Sequence, residues 1–323
     1  MRTFEAYDGA RVLVLGGSGF IGRWVASVLA SKGAKVIVVA RDVARTKSLL
    51  AEDGARCEVR AYDLARRGEL AALLDVLRPA VVFNLVGYGV DPSERDEALA
   101  VRLNSELVAE LAEAVKPDSH WRGQALVHVG SALEFGTMDG NFTDPWACAP
   151  TTLYGRTKLE GSRNLREISV RRGLKAFTAR LFTVYGPGEH NSRLVPTLLA
   201  ASRESAPIPL TAGLQRRDFT FVSDVAHGLL RLALTHDPVP ERAFNFATGS
   251  LTPVRQFVET AARVFGIERE RLQFGALPTR AEEMSHDPVS ISALERRLNW
   301  KPSTTIEQGL TETLAFERRN GRM

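Results

Sequence analysis

Val12-Leu13-Val14-Leu15-Gly16-Gly17-Ser18-Gly19-Phe20-Ile21-Gly22 is the stretch that decides the fold. Its four apolar residues, with no polar residue between them, have the character of a strand buried on both faces. The glycines at 16, 19 and 22 let the backbone turn tightly and come close to a bound group. Beyond them, Trp24, Val25, Val28 and Leu29 recur at helical spacing. A helix that starts there turns free N–H groups and the positive end of its dipole toward the loop, which suits an anion. Strand, Gly-rich turn and helix in this order fit a pyrophosphate, and hence a dinucleotide.

Working outward, short apolar runs alternate with amphipathic stretches long enough for crossover helices. The strand candidates are Val12–Leu15, Val36–Ala40, Cys57–Ala61, Val81–Val86, Ala125–Val129 and Ala176–Leu181. This alternation predicts an α/β fold, a doubly wound parallel sheet of Rossmann type. After residue 183 Gly and Pro become frequent, and strand-like segments return at Phe219–Val222 and Phe244–Ala247. Helical patterns follow at Val254–Phe265, at Ser290–Leu298 and from near Thr304, where Thr304 and Glu307 have capping-box spacing. The expected layout is a dinucleotide-binding domain of residues 1–183 plus 219–249. A smaller, mostly helical substrate domain takes residues 184–218 plus 250–323.

Composition bounds the function. A net charge of +4, spread along 323 residues, implies no nucleic-acid partner. Cys57 and Cys148 have no metal-ligand spacing, so neither a disulfide framework nor a metal site is expected. Val12–Leu15 is too short for a signal-peptide core, and no run approaches the ~20 apolar residues of a membrane span. A soluble cytoplasmic protein is the expectation.

Tyr154-Gly155-Arg156-Thr157-Lys158 puts a phenol and an ammonium at i and i+4, on one helix face. A phenol with a reference pKa of ~10 is a poor acid/base at neutral pH, and a nearby cation draws that value toward the working range. Tyr-x-x-x-Lys is common by chance, but here it follows the strand Ala125–Val129, which runs into Gly130-Ser131-Ala132-Leu133-Glu134-Phe135-Gly136. A Ser at the C-terminal end of such a strand stands where α/β folds bind ligand.

Together these motifs resemble the extended short-chain dehydrogenase/reductase family, the NAD(P)-dependent epimerases, dehydratases and ketoreductases of nucleotide sugars. Gly16-x-x-Gly19-Phe20-Ile21-Gly22 matches its cofactor turn, with Leu15 where Thr is frequent. The resemblance implies that Gly16, Gly19, Phe20, Ile21 and Gly22 hold the cofactor. Asp63 and Leu64 would lie at its adenine, and Leu85, in Asn84-Leu85-Val86-Gly87, at the strand end beside it. Ser131, Tyr154 and Lys158 would be catalytic, with Lys158 also on the nicotinamide ribose, and Asn104 would support the site. Glu134 competes with Ser131, and the family register makes it structural. Arg180-Leu181-Phe182-Thr183-Val184-Tyr185-Gly186-Pro187-Gly188 follows the family run, with Thr183 at a substrate position where many members have Asn. Arg217, and Arg280 in Phe274-Gly275-Ala276-Leu277-Pro278-Thr279-Arg280, would hold a sugar-nucleotide diphosphate. A homodimer is implied as well.

The cofactor choice rests on the end of the second strand. NAD-specific members carry an acidic residue there, whereas this chain has Ala40 followed by Arg41, which suits a 2′-phosphate. Asp42 is the rival, and the expectation is NADPH with NAD still possible. Dehydratases of the family follow the catalytic hydroxyl with Asp and Glu; Ala132 and Leu133 exclude that chemistry. Reduction of a nucleotide-linked 4-keto(-6-deoxy)hexose is the first reading, and an NAD-dependent 4-epimerase the alternative. A redox sensor that only binds the dinucleotide would have no use for Tyr154, Lys158 and Ser131 together. A reductase of small aldehydes or ketones would have no use for the arginine clamp.

Overall fold

The structure, a computed structural model, describes residues 4–91, 93–136, 140–236, 242–278 and 286–321. The first part of the chain runs β1 (Arg11–Leu15), α1 (Phe20–Ser31), β2 (Lys35–Ala40), α2 (Val43–Glu52), β3 (Glu58–Ala61), α3 (Leu70–Leu77) and β4 (Val81–Asn84). Next comes α4 (Glu97–Val101), which passes through a π-helical segment (Arg102–Glu106) into α5 (Leu107–Ala114). Then follow β5 (Leu126–Ser131), a 3₁₀ turn (Ala132–Glu134), α6 (Leu153–Arg172) and β6 (Ala176–Leu181). The second part runs β7 (Thr183–Tyr185), α7 (Leu194–Ala201), β8 (Ile208–Leu210), β9 (Arg216–Arg217), β10 (Phe219–Phe221), α8 (Val222–Ala233) and β11 (Ala243–Phe246). It closes with β12 (Thr252–Pro253), α9 (Val254–Phe265), β13 (Leu272–Phe274), α10 (Ser292–Leu298) and α11 (Ile306–Arg319).

Seven strands form one sheet in the order β11-β6-β5-β4-β1-β2-β3, with every neighbour parallel. This is the doubly wound sheet expected from the alternating pattern. Its two faces explain the unbroken apolar runs. Val12, Val14, Val36 and Val38 pack into one core with α1 and α8. Leu13, Leu15, Ile37 and Val39 pack into the other, with α3, α5 and part of α6. Successive side chains leave a strand on opposite faces, so a strand covered on both needs apolar residues throughout. The strand order reverses between β1 and β4, and the crevice at their C-terminal ends is where such sheets bind ligands.

Outside the sheet, short strands pair as β7 with β10, β9 with β12 and β8 with β13. The aromatic side chains of Tyr185, Phe219, Phe221 and Phe257 pack together there, with Phe219 and Phe257 stacked at 4.0 Å. Among the described residues no helix is long and apolar enough to cross a membrane.

The expected elements differ in detail from those observed. β4 stops at Asn84 instead of Val86, because the Asn84 side chain takes the Val86 N–H at 3.2 Å and turns the chain out of the sheet. β5 runs on to Ser131, paired with Leu181 of β6. The cap of α11 is one residue later than its spacing suggested. Asp224 accepts the N–H groups of Ser303 and Thr304, at 3.0 and 2.8 Å, and Glu307 pairs with Arg263. Thr305 and Gln308 therefore form the capping box.

Candidate active site

The Gly-rich turn folds as a cradle. Gly16 has φ +76°, and a Cβ there would stand 2.9 Å from the carbonyl of Leu85. A Cβ at Gly22 would stand 2.1 Å from the Gly16 carbonyl oxygen. The turn thus lies directly against the end of β4, and only glycine permits it. Gly19 caps α1 with no side-chain hydrogen bond, so the cap residue takes none of the first N–H groups of this twelve-residue helix. Phe20 and Ile21 pack partly against the core. This cradle fits the pyrophosphate of a dinucleotide.

At the end of β2, Arg41 is exposed. Asp42 is already engaged: its carboxylate accepts the Arg45 N–H at 2.9 Å and caps α2. Beyond β3, Asp63 accepts the Ala65 N–H at 3.0 Å, and Leu64 is half-buried against the second core. Leu85 donates its N–H to Leu15 at 3.0 Å, so β1 and β4 hold together up to the cradle.

Tyr154, Lys158 and Ser131 come together on the far side of β4. Thr152 caps α6, its Oγ1 accepting the Gly155 N–H at 3.0 Å, and so fixes Tyr154 in the first turn. Lys158, one turn later, is 1% exposed and donates to the carbonyls of Val86 at 3.0 Å and Val129 at 2.7 Å. These two carbonyls belong to the chain just past β4 and to β5, so the ammonium ties both together at the crevice. A Cβ built on exposed Gly87 would lie 3.5 Å from Tyr154 Oη and 3.9 Å from Lys158 Nζ. Phenol and ammonium therefore border one small space over Gly87. The Ser131 hydroxyl, at the tip of β5, is near enough to the Tyr154 phenol to favour its ionised form. It also accepts the Leu133 N–H at 3.2 Å.

The electrostatics correct one expectation. The Tyr154 phenol titrates above its ordinary range, because burial disfavours the phenolate and the charges of Glu134 and Glu94 add to that. The Ser131 hydroxyl and the charge of Arg193 act the other way. Burial and these carboxylates outweigh the nearby positive charge. Burial pushes Lys158 itself down to about 8, opposed by Glu134. The protein alone thus holds the proton on Tyr154, as a general acid requires.

Asn104 lies buried in the π-helical segment, a kind of turn found often at functional sites. Its Oδ1 accepts the Tyr88 N–H at 3.0 Å, and its Nδ2 donates to Tyr88 O at 2.8 Å and Thr157 Oγ1 at 2.9 Å. It links the loop after β4 to the helix that carries Tyr154 and Lys158. Glu134 is fully buried against Arg180, at 2.7 Å. Thr183, half-buried, starts β7 and donates its N–H to Asp218 at 3.1 Å. Arg217 lies in β9, paired with Thr252 of β12. The neighbouring Asp218 carboxylate accepts the N–H groups of Thr248 and Gly249, at 2.7 and 2.9 Å, and so anchors the strand. Arg280 lies outside the described residues.

Sequence reasoning missed Glu94, Arg193 and the Asn84–His128 pair. Glu94 accepts the N–H of Gly89 at 2.7 Å and closes the loop beside the Tyr154 ring. His128 is fully buried on β5, takes a hydrogen bond from Asn84 at 3.2 Å, and is kept neutral by burial and by the charge of Lys158. No periodicity marks any of them. They sit in polar loops or inside a strand, where only the tertiary fold gives them neighbours. Among the described residues, no group of His, Cys, Asp and Glu is arranged to hold a metal.

The model of the NAD dependent epimerase/dehydratase family matches residues 12–247, from β1 through β11. The chain belongs to that family. It is therefore an enzyme of the NAD(P)-dependent, extended short-chain dehydrogenase/reductase type. Its relatives include the dTDP-6-deoxy-L-talose 4-dehydrogenase (NAD(P)(+)) of Kitasatospora kifunensis, 27% identical and covering 94% of both chains. The dTDP-glucose 4,6-dehydratase of Xanthomonas campestris pv. campestris (strain B100) is also 27% identical, over 94% of this chain and 91% of its own. Among solved structures, MoeE5 in complex with UDP-glucuronic acid and NAD is 26% identical. It has a TM-score of 0.79, covering 96% of this chain and 99% of its own.

Proposed function

We propose that this enzyme reduces a nucleotide-linked 4-keto sugar, a 4-keto-6-deoxyhexose, with NADPH as the electron donor. The observation that carries the reading is the makeup of the turn beside Tyr154. Ser131 is followed by Ala132 and Leu133, and neither side chain can move a proton. One proton donor at one oxygen is what carbonyl reduction needs; removal of water needs a further acid and base. When bound, the reduced cofactor supplies hydride for the sugar C4. Tyr154 gives its proton to the new C4 alkoxide, and Ser131 donates a hydrogen bond to the same oxygen. Lys158 holds positive charge beside the phenol and keeps the ends of β4 and β5 in place. Arg217 and Arg280 take the diphosphate, their guanidinium forks matching paired phosphate oxygens. Thr183 contacts the sugar.

Two features support NADPH and the 6-deoxy sugar. Arg41 is exposed at the end of β2, while Asp42 caps its own helix through Oδ1. The talose relative is a 4-dehydrogenase, and the reverse of such a step is reduction of a 4-keto-6-deoxyhexose. We assign residues 1–183 and 219–249 to the cofactor domain, and 184–218 and 250–323 to the substrate domain. The apolar turn also suits a 4-epimerase, which is the second reading. The test is stoichiometry with a panel of nucleotide-linked 4-keto sugars. A reductase oxidises one NADPH per hydroxy sugar formed. Interconversion of two hydroxy sugars without added reductant, with no reaction on any 4-keto sugar, gives the case to the epimerase.

A further inference from the structure

Glu134 is a carboxylate with no solvent exposure, three residues past Ser131. Its Oε1 accepts the Ser131 N–H at 2.8 Å, and its Oε2 accepts Arg180 Nε at 2.7 Å. Arg180 is equally buried. Its guanidinium lies between the rings of Phe135 and Trp146, at 4.9 and 5.1 Å, and donates to the Pro145 carbonyl. Space has been cleared for the carboxylate: a Cβ at Gly130 would stand 2.4 Å from Glu134 Oε1. Burying such a pair is expensive, and a well-packed apolar pair often holds a fold at least as well. Support of the turn alone therefore does not explain it.

We propose that Glu134, clamped by Arg180, is a positioning residue for the Ser131 hydroxyl and so sets the direction in which that hydroxyl donates to the substrate oxygen. This rests on the reading of Ser131 and Tyr154 as catalytic. The Ser131 backbone is fixed by Oε1, and its Oγ lone pair is taken by the Leu133 N–H, so the hydroxyl proton is left to point toward Tyr154 and the crevice. The arrangement is a reciprocal cap on a single 3₁₀ turn, and its far end is pinned to β6 through Arg180. The same negative charge keeps protons in the site, raising both the Tyr154 phenol and the Lys158 ammonium. Around these two groups lie Glu94 and Arg193 from neighbouring loops, and His128 of β5, which stays neutral.

The experiment compares Glu134→Gln, the apolar double variant Glu134→Leu/Arg180→Met, and Ser131→Ala as the benchmark. Each is assayed on whichever nucleotide sugar the wild type turns over. Thermal unfolding and NADPH affinity are measured alongside. In Glu134→Gln, kcat should fall at least about tenfold, as expected when one charge-assisted hydrogen bond is lost, with NADPH affinity unchanged. The alkaline limb of kcat/KM should move down by about one pH unit, because Tyr154 and Lys158 both lose a neighbouring negative charge. The double variant, if folded as stably as the wild type, should still have lost turnover. Wild-type kcat with an unmoved alkaline limb in Glu134→Gln, while Ser131→Ala is inactive, overturns the positioning role and leaves the catalytic reading standing. Wild-type kcat in Ser131→Ala overturns both.

Discussion

Glu189 offers a perturbation whose size can be worked out from its surroundings. It follows the turn Gly186-Pro187-Gly188, and its side chain is only 6% exposed. Oε1 lies 3.3 Å from Arg193 Nε, while Oε2 has no hydrogen-bond partner among the described residues. Burial outweighs the nearby Arg193 and the backbone of Gly186, and pushes the carboxyl from 4.5 up to about 7. In the unfolded chain the same group ionises near 4.5. Between those two pH values the folded protein holds a proton that the unfolded chain has released, so stability falls as pH rises through the window. The gap corresponds to roughly 3 kcal/mol, fully lost by about pH 8. Glu189→Gln removes the ionisation and keeps the shape. Urea unfolding of both proteins across pH 4.5–8 isolates the effect, because all other groups cancel in the difference. The advantage of the variant over the wild type should grow by roughly 3 kcal/mol from the acid to the alkaline end. A difference that stays flat over the whole range would refute the reasoning.

Further outcomes follow from the site. Tyr154→Phe keeps the ring but not the proton, so turnover should drop by ~10²–10⁴-fold, with NADPH affinity near wild type in a fluorescence titration. Lys158→Ala should impair both turnover and binding, because its two carbonyl contacts at the crevice go with it. In the wild type, kcat/KM should decline above about pH 8 as Lys158 loses its proton; a profile level to pH 10 would contradict that assignment. Gly22→Ala forces a methyl against the Gly16 carbonyl, and should cost about 1–3 kcal/mol of stability and weaken dinucleotide binding, both readable by calorimetry. Arg41→Ala should raise KM for NADPH by roughly 10–100-fold, the worth of a charge-assisted contact, and leave KM for NADH unchanged. No 4-keto-6-deoxy product should form from a nucleotide-linked hexose.

Much of the fold is legible in the sequence, for a definite reason. Strands buried on both faces are written as unbroken apolar runs, and the cradle is written in glycines that no other residue can replace. Tyr154 and Lys158 are legible because their spacing is a property of one helix. What the sequence does not reveal depends on partners distant along the chain. Glu134 and Arg180 are 46 residues apart, and only the pairing of β5 with β6 makes one the counter-ion of the other. The π-helical segment at Asn104 leaves no mark in the apolar pattern, which continues through it. The misplaced cap of α11 has the same origin. Thr304 and Thr305 each have a capping partner three residues on, and Asp224, far away on α8, selects between them. The rise of the Tyr154 phenol is not legible either, because it comes from burial and from Glu134 and Glu94, which only the fold brings to it.

The central claim is that hydride passes from an exchangeable NADPH to C4 of a nucleotide-linked sugar while Tyr154 supplies the proton. The most direct test uses NADPH deuterated at the transferable position of the nicotinamide, with a nucleotide-linked 4-keto-6-deoxyhexose, and reads the product by NMR and mass spectrometry. The account predicts one deuterium per product molecule, located at C4, and none in the product of Tyr154→Phe beyond its residual turnover. A hydroxy sugar formed without deuterium at C4, or equal product in the absence of added NADPH, would contradict it.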